Sequence, residues 1–130
     1  TNETYNFYKW TSPQSTVQTY SIYVTYQLPS TFKEFSSGST SLMGRTDSSN
    51  STVDYQVYRS NASGLTACGS TVSVSTGSQS SWQTGDASGS ADPSTCSFAA
   101  SESIVFKINV TASSNANAYV GNLNFTFSNR

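Results

Sequence analysis

Apolar side chains in this chain recur at every second position, which is the spacing of β-strands and not of helices. In the four longest runs, this alternation predicts which residues face a core. Antiparallel sheets with one solvated face produce such a pattern. The predicted core positions are 20, 22, 24, 26 and 28; 53, 55 and 57; 104, 106, 108 and 110; and 119, 121, 123, 125 and 127.

Shorter segments add to these strands. Residues 5–10, 41–45, 72–74 and 95–99 favour short strands, whereas Thr31–Phe35 could form one capped helical turn. The sequence therefore predicts an all-β fold, an antiparallel β-sandwich of jelly-roll or immunoglobulin-like type with 7–9 short strands. With 130 residues and no linker, we expect one domain at 1–130, with residues 1–15 as an edge strand or an exchanged N-terminal strand. The longest stretch without strand character, residues 76–94, is predicted to be a loop and contains Trp82.

The two cysteines, Cys68 and Cys96, are predicted to form a disulfide. They lie 28 positions apart in a chain without histidine, so they cannot complete a zinc site. Closing this loop would stabilise the fold by about 3 kcal/mol in the chain-entropy model. Disulfides and a charged fraction of only 10% are typical of exported proteins. We expect an extracellular or cell-surface protein whose signal peptide has already been removed.

The composition argues against several functions. Without histidine, the chain lacks the usual general base for a serine or cysteine nucleophile, and its seven acidic residues form no paired motif. We therefore expect no enzyme, no catalytic residues and no cofactor. The six basic residues are scattered and the net charge is −1, which disfavours nucleic acid as a partner. No apolar run reaches the roughly 20 residues of a membrane span, so membrane insertion is not expected.

Two kinds of site are suggested by short motifs. The segment from Asp86 to Asp92 holds two carboxylates and two hydroxyls around a glycine, which makes it a weak calcium candidate. An ordinary Asp-Gly-Ser turn explains the same residues better, and otherwise no metal site is expected. Asn-x-Ser/Thr sequons make five asparagines candidates for N-glycosylation: Asn2, Asn50, Asn61, Asn109 and Asn124.

Aromatic residues outside the predicted core faces suggest binding surfaces. Trp82, Trp10 and Tyr58 are candidates for stacking on sugar rings, although each could instead pack against the core. The β-prone N-terminal segment, with Tyr5, Phe7 and Trp10, could pair within its own sheet or complete the sheet of a neighbouring subunit.

Several segments together resemble a known group of proteins. These segments are Val24–Pro29, Gly44–Asp47, Ala67–Ser70, Ala91–Phe98 and Phe106–Val110. They look like uncharacterised secreted β-sandwich domains of surface proteins from uncultured small-genome bacteria. This resemblance implies a surface location and a paired Cys68 and Cys96, and it brings no known activity or binding residues. More distantly, the layout is similar to carbohydrate-binding jelly rolls and to strand-exchanging pilus subunits.

The sequence leaves two main functional hypotheses. The first is a non-enzymatic structural or adhesive module, a subunit of a surface fibre or pilus-like filament assembled by β-strand addition, whose partners are copies of itself. The alternative is a carbohydrate-binding, lectin-like module whose partners are surface glycans. A virion or tail decoration domain is a further alternative, because such domains share the sandwich fold and the low charge.

Overall fold

A computed structural model describes residues 7–130 of the chain. Strands dominate it, and two 3₁₀ turns, Gly89–Ala91 and Pro93–Thr95, are the helical elements of the described part. The strands are β1 (Tyr8–Thr11), β2 (Gln18–Gln27), β3 (Phe32–Phe35), β4 (Ser41–Asn61), β5 (Gly64–Ala67), β6 (Val72–Ser78), β7 (Gln83–Asp86), β8 (Ser103–Ala112), β9 (Asn117–Asn124) and β10 (Phe127–Asn129).

The strands form an antiparallel sandwich, which confirms the predicted fold class. The front sheet contains β1, β9, the first part of β4 and β7, in that order. The back sheet contains β2, β8 and the second part of β4, with β5 and β6 beyond it. Strand β4 therefore belongs to both sheets, pairing with β9 at residues 41–46 and with β8 at residues 52–60. Strands β3 and β10 form a small separate pair.

The core lies between the two sheets. Alternate residues of β4 and β8 fill it, as the period-two pattern predicted: Val53, Tyr55, Val57, Ile104, Phe106, Ile108 and Val110 are all buried. Tyr55 is the largest fully buried side chain, and its hydroxyl donates a hydrogen bond of 2.8 Å to the Gly85 carbonyl on β7. This bond links the back sheet to the front sheet.

The buried face of β9 differs from the prediction. Ala118 and Val120 point inward, whereas Tyr119, predicted to face the core, points outward. Residues 120–123 of β9 span the same length as residues 42–44 of β4, so one extra residue is accommodated at Gly121–Asn122. Such a bulge reverses the alternation, which is why Leu123 points inward again.

The predicted core face of β2 is only partly covered. Tyr20, Val24 and Tyr26 remain 45%, 38% and 42% exposed, although Leu28 just beyond the strand is buried. These residues stay exposed because β2 is the edge strand of the back sheet. The strand that faces it across the core, β1 at the same edge of the front sheet, has only four residues and covers only part of β2.

Three local predictions were wrong. Residues 32–35 form strand β3 and no helical turn, because they pair with β10 and bury Phe32 and Phe35. Residues 95–99 form no strand, since the chain there leaves a 3₁₀ turn that Asp92 caps. The predicted loop 76–94 contains β7, a polar strand that alternation could not detect because it holds no large apolar residue.

The predicted disulfide is present. Cys68 follows β5 and Cys96 follows the second 3₁₀ turn, with their Cα atoms 5.7 Å apart. The bond encloses β6 and β7, so it fixes both ends of a segment that contributes to each sheet.

Candidate functional site

The three aromatic residues proposed for sugar stacking lie on three different surfaces. Trp82 precedes β7 and lies against Gly121 on the outer face of the front sheet. Trp10 points between the sheets at their open edge, where it stacks on Tyr20 with ring centroids 5.2 Å apart. Tyr58 is half-buried on the outer face of the back sheet. They therefore cannot act together as one site.

The outer face of the front sheet carries a cluster of three aromatic rings, which we call the aromatic platform. It consists of Phe7, Trp82 and Tyr119. The Phe7 and Tyr119 ring centroids are 5.6 Å apart, those of Phe7 and Trp82 are 6.0 Å apart, and those of Trp82 and Tyr119 are 6.3 Å apart. Phe7 is 55% exposed, and Trp82 and Tyr119 are half-buried. The cluster thus presents aromatic surface to solvent while its members support one another.

The bulge in β9 makes room for this platform. A Cβ atom at Gly121 would lie 3.2 Å from Cζ3 of Trp82, which is tighter than an ordinary contact. Glycine therefore lets the indole lie directly on the strand. Without the bulge at Gly121–Asn122, Leu123 would point outward with Tyr119.

Basic residues flank the platform on both sides of Tyr119. Lys9 is its neighbour on β1, and Arg45 is its neighbour on β4. The Arg45 guanidinium lies 5.2 Å from the centre of the Tyr119 ring, a cation–π distance, and its Nε donates a hydrogen bond to the Gln79 carbonyl. These contacts fix the Tyr119 ring and place two hydrogen-bond donors beside it.

A row of polar side chains lies about 7 Å from Tyr119, at Asn117, which is two residues earlier in β9. Asn117 donates from its backbone nitrogen and from Nδ2 to the Asp47 carboxylate, and it accepts a hydrogen bond from the Thr11 hydroxyl. Burial raises the pKa of Asp47, but the Asn117 hydrogen bonds and the nearby charge of Arg45 outweigh it, so the net pKa is lowered. Asp47 is therefore a charged acceptor at neutral pH.

The outer face of the back sheet is polar and internally paired. Asn109 accepts a hydrogen bond from Ser21 and donates one to Asp54, and the Tyr58 hydroxyl donates to Gln56. This face presents single aromatic residues, Tyr58 and the exposed Tyr23, on separate strands. Among residues 7–130, this face carries no cluster of rings like that on the front sheet.

An apolar groove of about 350 Å³ opens at the edge of the sandwich. Ile22 and Val24 of β2 form one wall, and Val120 and Leu123 of β9 form the other. Beside the groove, the Tyr20 ring stacks on the rings of Tyr8 and Trp10. The Nε1 atom of Trp10 is buried without a hydrogen-bond partner. The groove is thus bounded by the free edge of the back sheet.

The weak calcium candidate is divided by the fold. Asp86 is exposed at the end of β7, whereas Asp92 is buried and accepts hydrogen bonds from the backbone nitrogens of Gly38 and Ser94. Between residues 7 and 130, no three His, Cys, Asp or Glu side chains come close enough to hold a metal ion. Nor does any helix in this part have the length and apolarity to cross a membrane.

The sequons and the N-terminal candidates fall in varied surroundings. Asn50 and Asn124 are exposed, whereas Nδ2 of Asn61 donates to Glu102 and Nδ2 of Asn109 donates to Asp54. Asn2 and Tyr5 lie outside the described residues. Glycosylation therefore stays a prediction, with Asn50 and Asn124 the most accessible of the described sequons.

Strand β1 lies within its own chain. Tyr8 to Thr11 pair antiparallel with β9 over four residue pairs, and Trp10 is part of this ladder. Phe7, the third residue proposed for strand exchange, belongs to the aromatic platform. Exchange of this segment would therefore require β1 to leave a sheet that it completes.

Comparison with known proteins gives a likeness of fold. No family model and no curated protein matches the chain. Among solved structures, the carbohydrate-binding module TmCBM61, determined in complex with β-1,4-galactotriose, is similar with a TM-score of 0.59 at 9% identity. The match covers 92% of this chain and 69% of that one. A structure of infectious bursal disease virus, Gx strain, matches with a TM-score of 0.35 at 15% identity, covering 91% of this chain and 32% of that one. The first match agrees with the more distant resemblance to carbohydrate-binding jelly rolls. The resemblance to bacterial surface domains stays a prediction.

Trp82 is the one platform residue that the sequence predicted to stack on sugars. The sequence pattern assigned Tyr119 to the core and Phe7 to strand exchange. A glycine inside a strand often marks a bulge, so Gly121 was the signal that could have corrected the face of Tyr119.

Proposed function

We propose that this protein is an extracellular carbohydrate-binding module and that its glycan lies on the aromatic platform. The observation that carries the proposal is the outward-facing cluster of Phe7, Trp82 and Tyr119, with rings in mutual contact. The C–H faces of a sugar are weakly apolar and pack on electron-rich rings. A cluster of rings can support more than one sugar unit of a chain.

Polar groups beside the platform fit the remainder of a sugar. Lys9 and Arg45 can donate hydrogen bonds to hydroxyl oxygens, and the Asp47 carboxylate, held by Asn117, can accept them. Lys9 and Arg45 lie directly beside Tyr119, whereas Asp47 lies beside Asn117, about 7 Å away along the sheet. The platform and the polar row thus offer complementary contacts to one ligand.

The fold is compatible with this role. TmCBM61 was determined with β-1,4-galactotriose, which makes β-1,4-linked galacto-oligosaccharides a reasonable first ligand to test. The disulfide supports a location outside the cytosol. A filament assembled by strand addition has less support, because β1 pairs with β9 of its own chain.

The test measures binding of the purified chain to a glycan array and, by calorimetry, to β-1,4-galacto-oligosaccharides. We expect Trp82→Ala and Tyr119→Ala each to weaken binding at least about fivefold, since stacking on one aromatic residue contributes about 1–3 kcal/mol in the analogous case of nucleic-acid bases. Tyr58→Ala is the matched control, because Tyr58 is a half-buried tyrosine on the opposite face. It should leave binding unchanged.

Two further measurements make the outcome decisive. Thermal unfolding of each variant shows whether lost binding reflects lost folding, and Tyr119→Phe, which keeps the ring, should retain most of the affinity. Absence of any glycan ligand on the array, or equal losses in the Tyr58 and Tyr119 variants, would contradict the proposal.

A further inference from the structure

Strand β2 forms a long edge of the sandwich that lacks the usual protection against pairing. In the described part of the chain it pairs with β8 alone, over ten residue pairs. Natural edge strands are commonly short, charged, bulged or interrupted by proline, because a free row of N–H and C=O groups invites another strand. Strand β2 is ten residues long, and its sequence QTYSIYVTYQ contains no charge and no proline.

Apolar exposure is concentrated on this edge. Among the described residues, most of the exposed large apolar side chains lie between positions 17 and 26: Val17, Tyr20, Tyr23, Val24 and Tyr26. The edge strand of the front sheet is different, because β1 has only four residues and carries Lys9. A cluster of exposed apolar residues beside unpaired backbone groups is typical of an association surface.

The sequence of β2 is close to a palindrome centred on Tyr23. Reading outward from Tyr23, Ile22 mirrors Val24, and Ser21 mirrors Thr25. The next pair outward is Tyr20 with Tyr26, and then Thr19 with Gln27. The three inner pairs match in size and polarity, and both members of the outermost pair are polar. In a twofold dimer, residue i of one copy meets residue j of the other and residue j meets residue i, so a palindromic strand places similar side chains opposite each other.

This centre also keeps the two faces of the sheet in register. Opposite residues in antiparallel strands point to the same face. Pairing about Tyr23 therefore sets Ile22 against Val24 on the inner face, beside the apolar groove, and Ser21 against Thr25 on the outer face. A shift by one residue would set inner residues against outer residues and lose this match.

We propose that two copies of this chain associate through antiparallel pairing of their β2 strands about a twofold axis at Tyr23. The two back sheets then form one continuous sheet across the dimer. The contact is closed, unlike the open fibre expected from strand exchange, and it does not depend on the proposed glycan-binding role. Two paired strands bury less area than the roughly 1,200–2,000 Å² of a standard interface, so we expect a weak, concentration-dependent dimer.

The first experiment measures mass by analytical ultracentrifugation from about 1 µM to about 1 mM, the range in which weak dimers form. Tyr23→Lys places two ammonium groups directly opposite each other on the axis, and like charges in this position repel. We expect the dissociation constant to rise at least tenfold. Leu65→Lys is the matched control, because Leu65 is 52% exposed on β5, close to the 57% of Tyr23. It should leave the mass unchanged.

The second experiment tests the register with single cysteines. The described chain contains no free cysteine, since Cys68 and Cys96 pair with each other. Opposite residues in an antiparallel pair have Cα atoms about 4.5–5.5 Å apart, within disulfide reach. Tyr23→Cys should therefore cross-link to its own copy under mild oxidation.

The control cysteine lies on the same exposed face. The two copies of Thr25→Cys would be about 13 Å apart along the strands, beyond disulfide reach, and should not cross-link to each other. A mixture of Ser21→Cys and Thr25→Cys chains should cross-link as a heterodimer. A wild-type chain that stays monomeric over the whole concentration range would overturn the proposal. Cross-linking of Thr25→Cys as readily as Tyr23→Cys would also overturn it.

Discussion

The buried hydroxyl of Tyr55 links the two sheets, and this link can be tested by removing a single oxygen atom. Tyr55 lies on β4 in the back sheet, is fully buried, and donates a 2.8 Å hydrogen bond to the Gly85 carbonyl of β7. Tyr55→Phe keeps the ring and removes the bond. The Gly85 backbone is closely packed, since a Cβ atom at Gly85 would lie 2.7 Å from Cγ2 of Val74.

The expected loss in unfolding free energy at neutral pH is about 1–2 kcal/mol, the range for a buried neutral hydrogen bond whose acceptor loses its partner. For a chain of this size, that loss corresponds to a fall in Tm of roughly 3–7 °C. Tyr58→Phe, three residues further along the same strand, is the matched control. Its hydroxyl is half-buried and donates to Gln56 at 3.1 Å, so we expect a loss below about 0.5 kcal/mol.

The pH dependence provides an independent check. Burial raises the pKa of the Tyr55 hydroxyl above the value near 10 of a free tyrosine, and the charges of Asp86 and Asp92 raise it further. Above pH 10 the unfolded chain therefore releases a proton that the folded chain retains. The stabilisation that comes from this hydroxyl is fully present below pH 10 and is lost as pH rises further.

The assay is urea denaturation of wild type and both variants between pH 7 and pH 11. The difference in unfolding free energy between wild type and Tyr55→Phe should narrow above pH 10. Equal losses in the two variants at pH 7 would refute the assigned role of the Tyr55 hydroxyl. A gap that widens above pH 10 would refute the direction of its pKa shift.

Three other predictions concern the same framework. Replacing Cys68 and Cys96 together by alanine should lower the unfolding free energy by about 3 kcal/mol in denaturant titrations, and a loss below 1 kcal/mol would contradict a stapling role. Gly69→Ala should prevent folding or cost more than about 3 kcal/mol, because its Cβ would lie within 2 Å of the Ser90 carbonyl oxygen at a positive φ. Gly38→Ala, also at positive φ but in open space, should cost only about 1 kcal/mol, and equal losses would refute the clash. Burial raises the pKa of Asp92, but the hydrogen bonds that its carboxylate accepts from Gly38 and Ser94 have a larger effect, so the net pKa is lowered. The charged Asp92 therefore stabilises the fold above pH 4, and this stabilisation is lost as pH falls. The Asp92→Asn variant should have a lower unfolding free energy at pH 7, and that free energy should fall less than the wild type's as pH is lowered. An equal fall in the variant and the wild type would contradict this.

The sequence predicted best where a strand is paired on both sides and buried on one face. In β8 the residues predicted to face the core, Ile104, Phe106, Ile108 and Val110, are all buried, and Val105 on the opposite face is buried as well. The disulfide was also predictable, because two cysteines in a low-charge chain without histidine leave few other roles. In these cases local pattern and tertiary environment agree.

Prediction failed where tertiary pairing overrides the local pattern. The bulge at Gly121–Asn122 depends on the register between β9 and β4, and residues far apart in the sequence determine that register. Strand β7 exists because Gln83–Asp86 pair with Ser41–Gly44, and its polar sequence offers no alternation. The aromatic platform could not be found for the same reason, since it requires Phe7 just before β1, Tyr119 of β9 and Trp82 before β7 to meet on one face.

The platform and the β2 edge lie on different sheets, and this separation has a consequence for recognition. Tyr119 and Trp82 lie on the outer face of the front sheet, whereas the proposed twofold axis passes through Tyr23 on the edge of the back sheet. Pairing at β2 would therefore leave the platform of each copy uncovered, so a dimer would carry two glycan sites. A weak affinity at each site would then suffice on a surface with many copies of the ligand, because binding of the second site becomes intramolecular. Tyr23→Lys should accordingly reduce retention on a densely glycosylated surface while the affinity for a soluble oligosaccharide, measured by calorimetry, stays unchanged. If retention on the surface and affinity for the soluble oligosaccharide both fell, the β2 edge and the aromatic platform would be coupled, although they lie on different sheets.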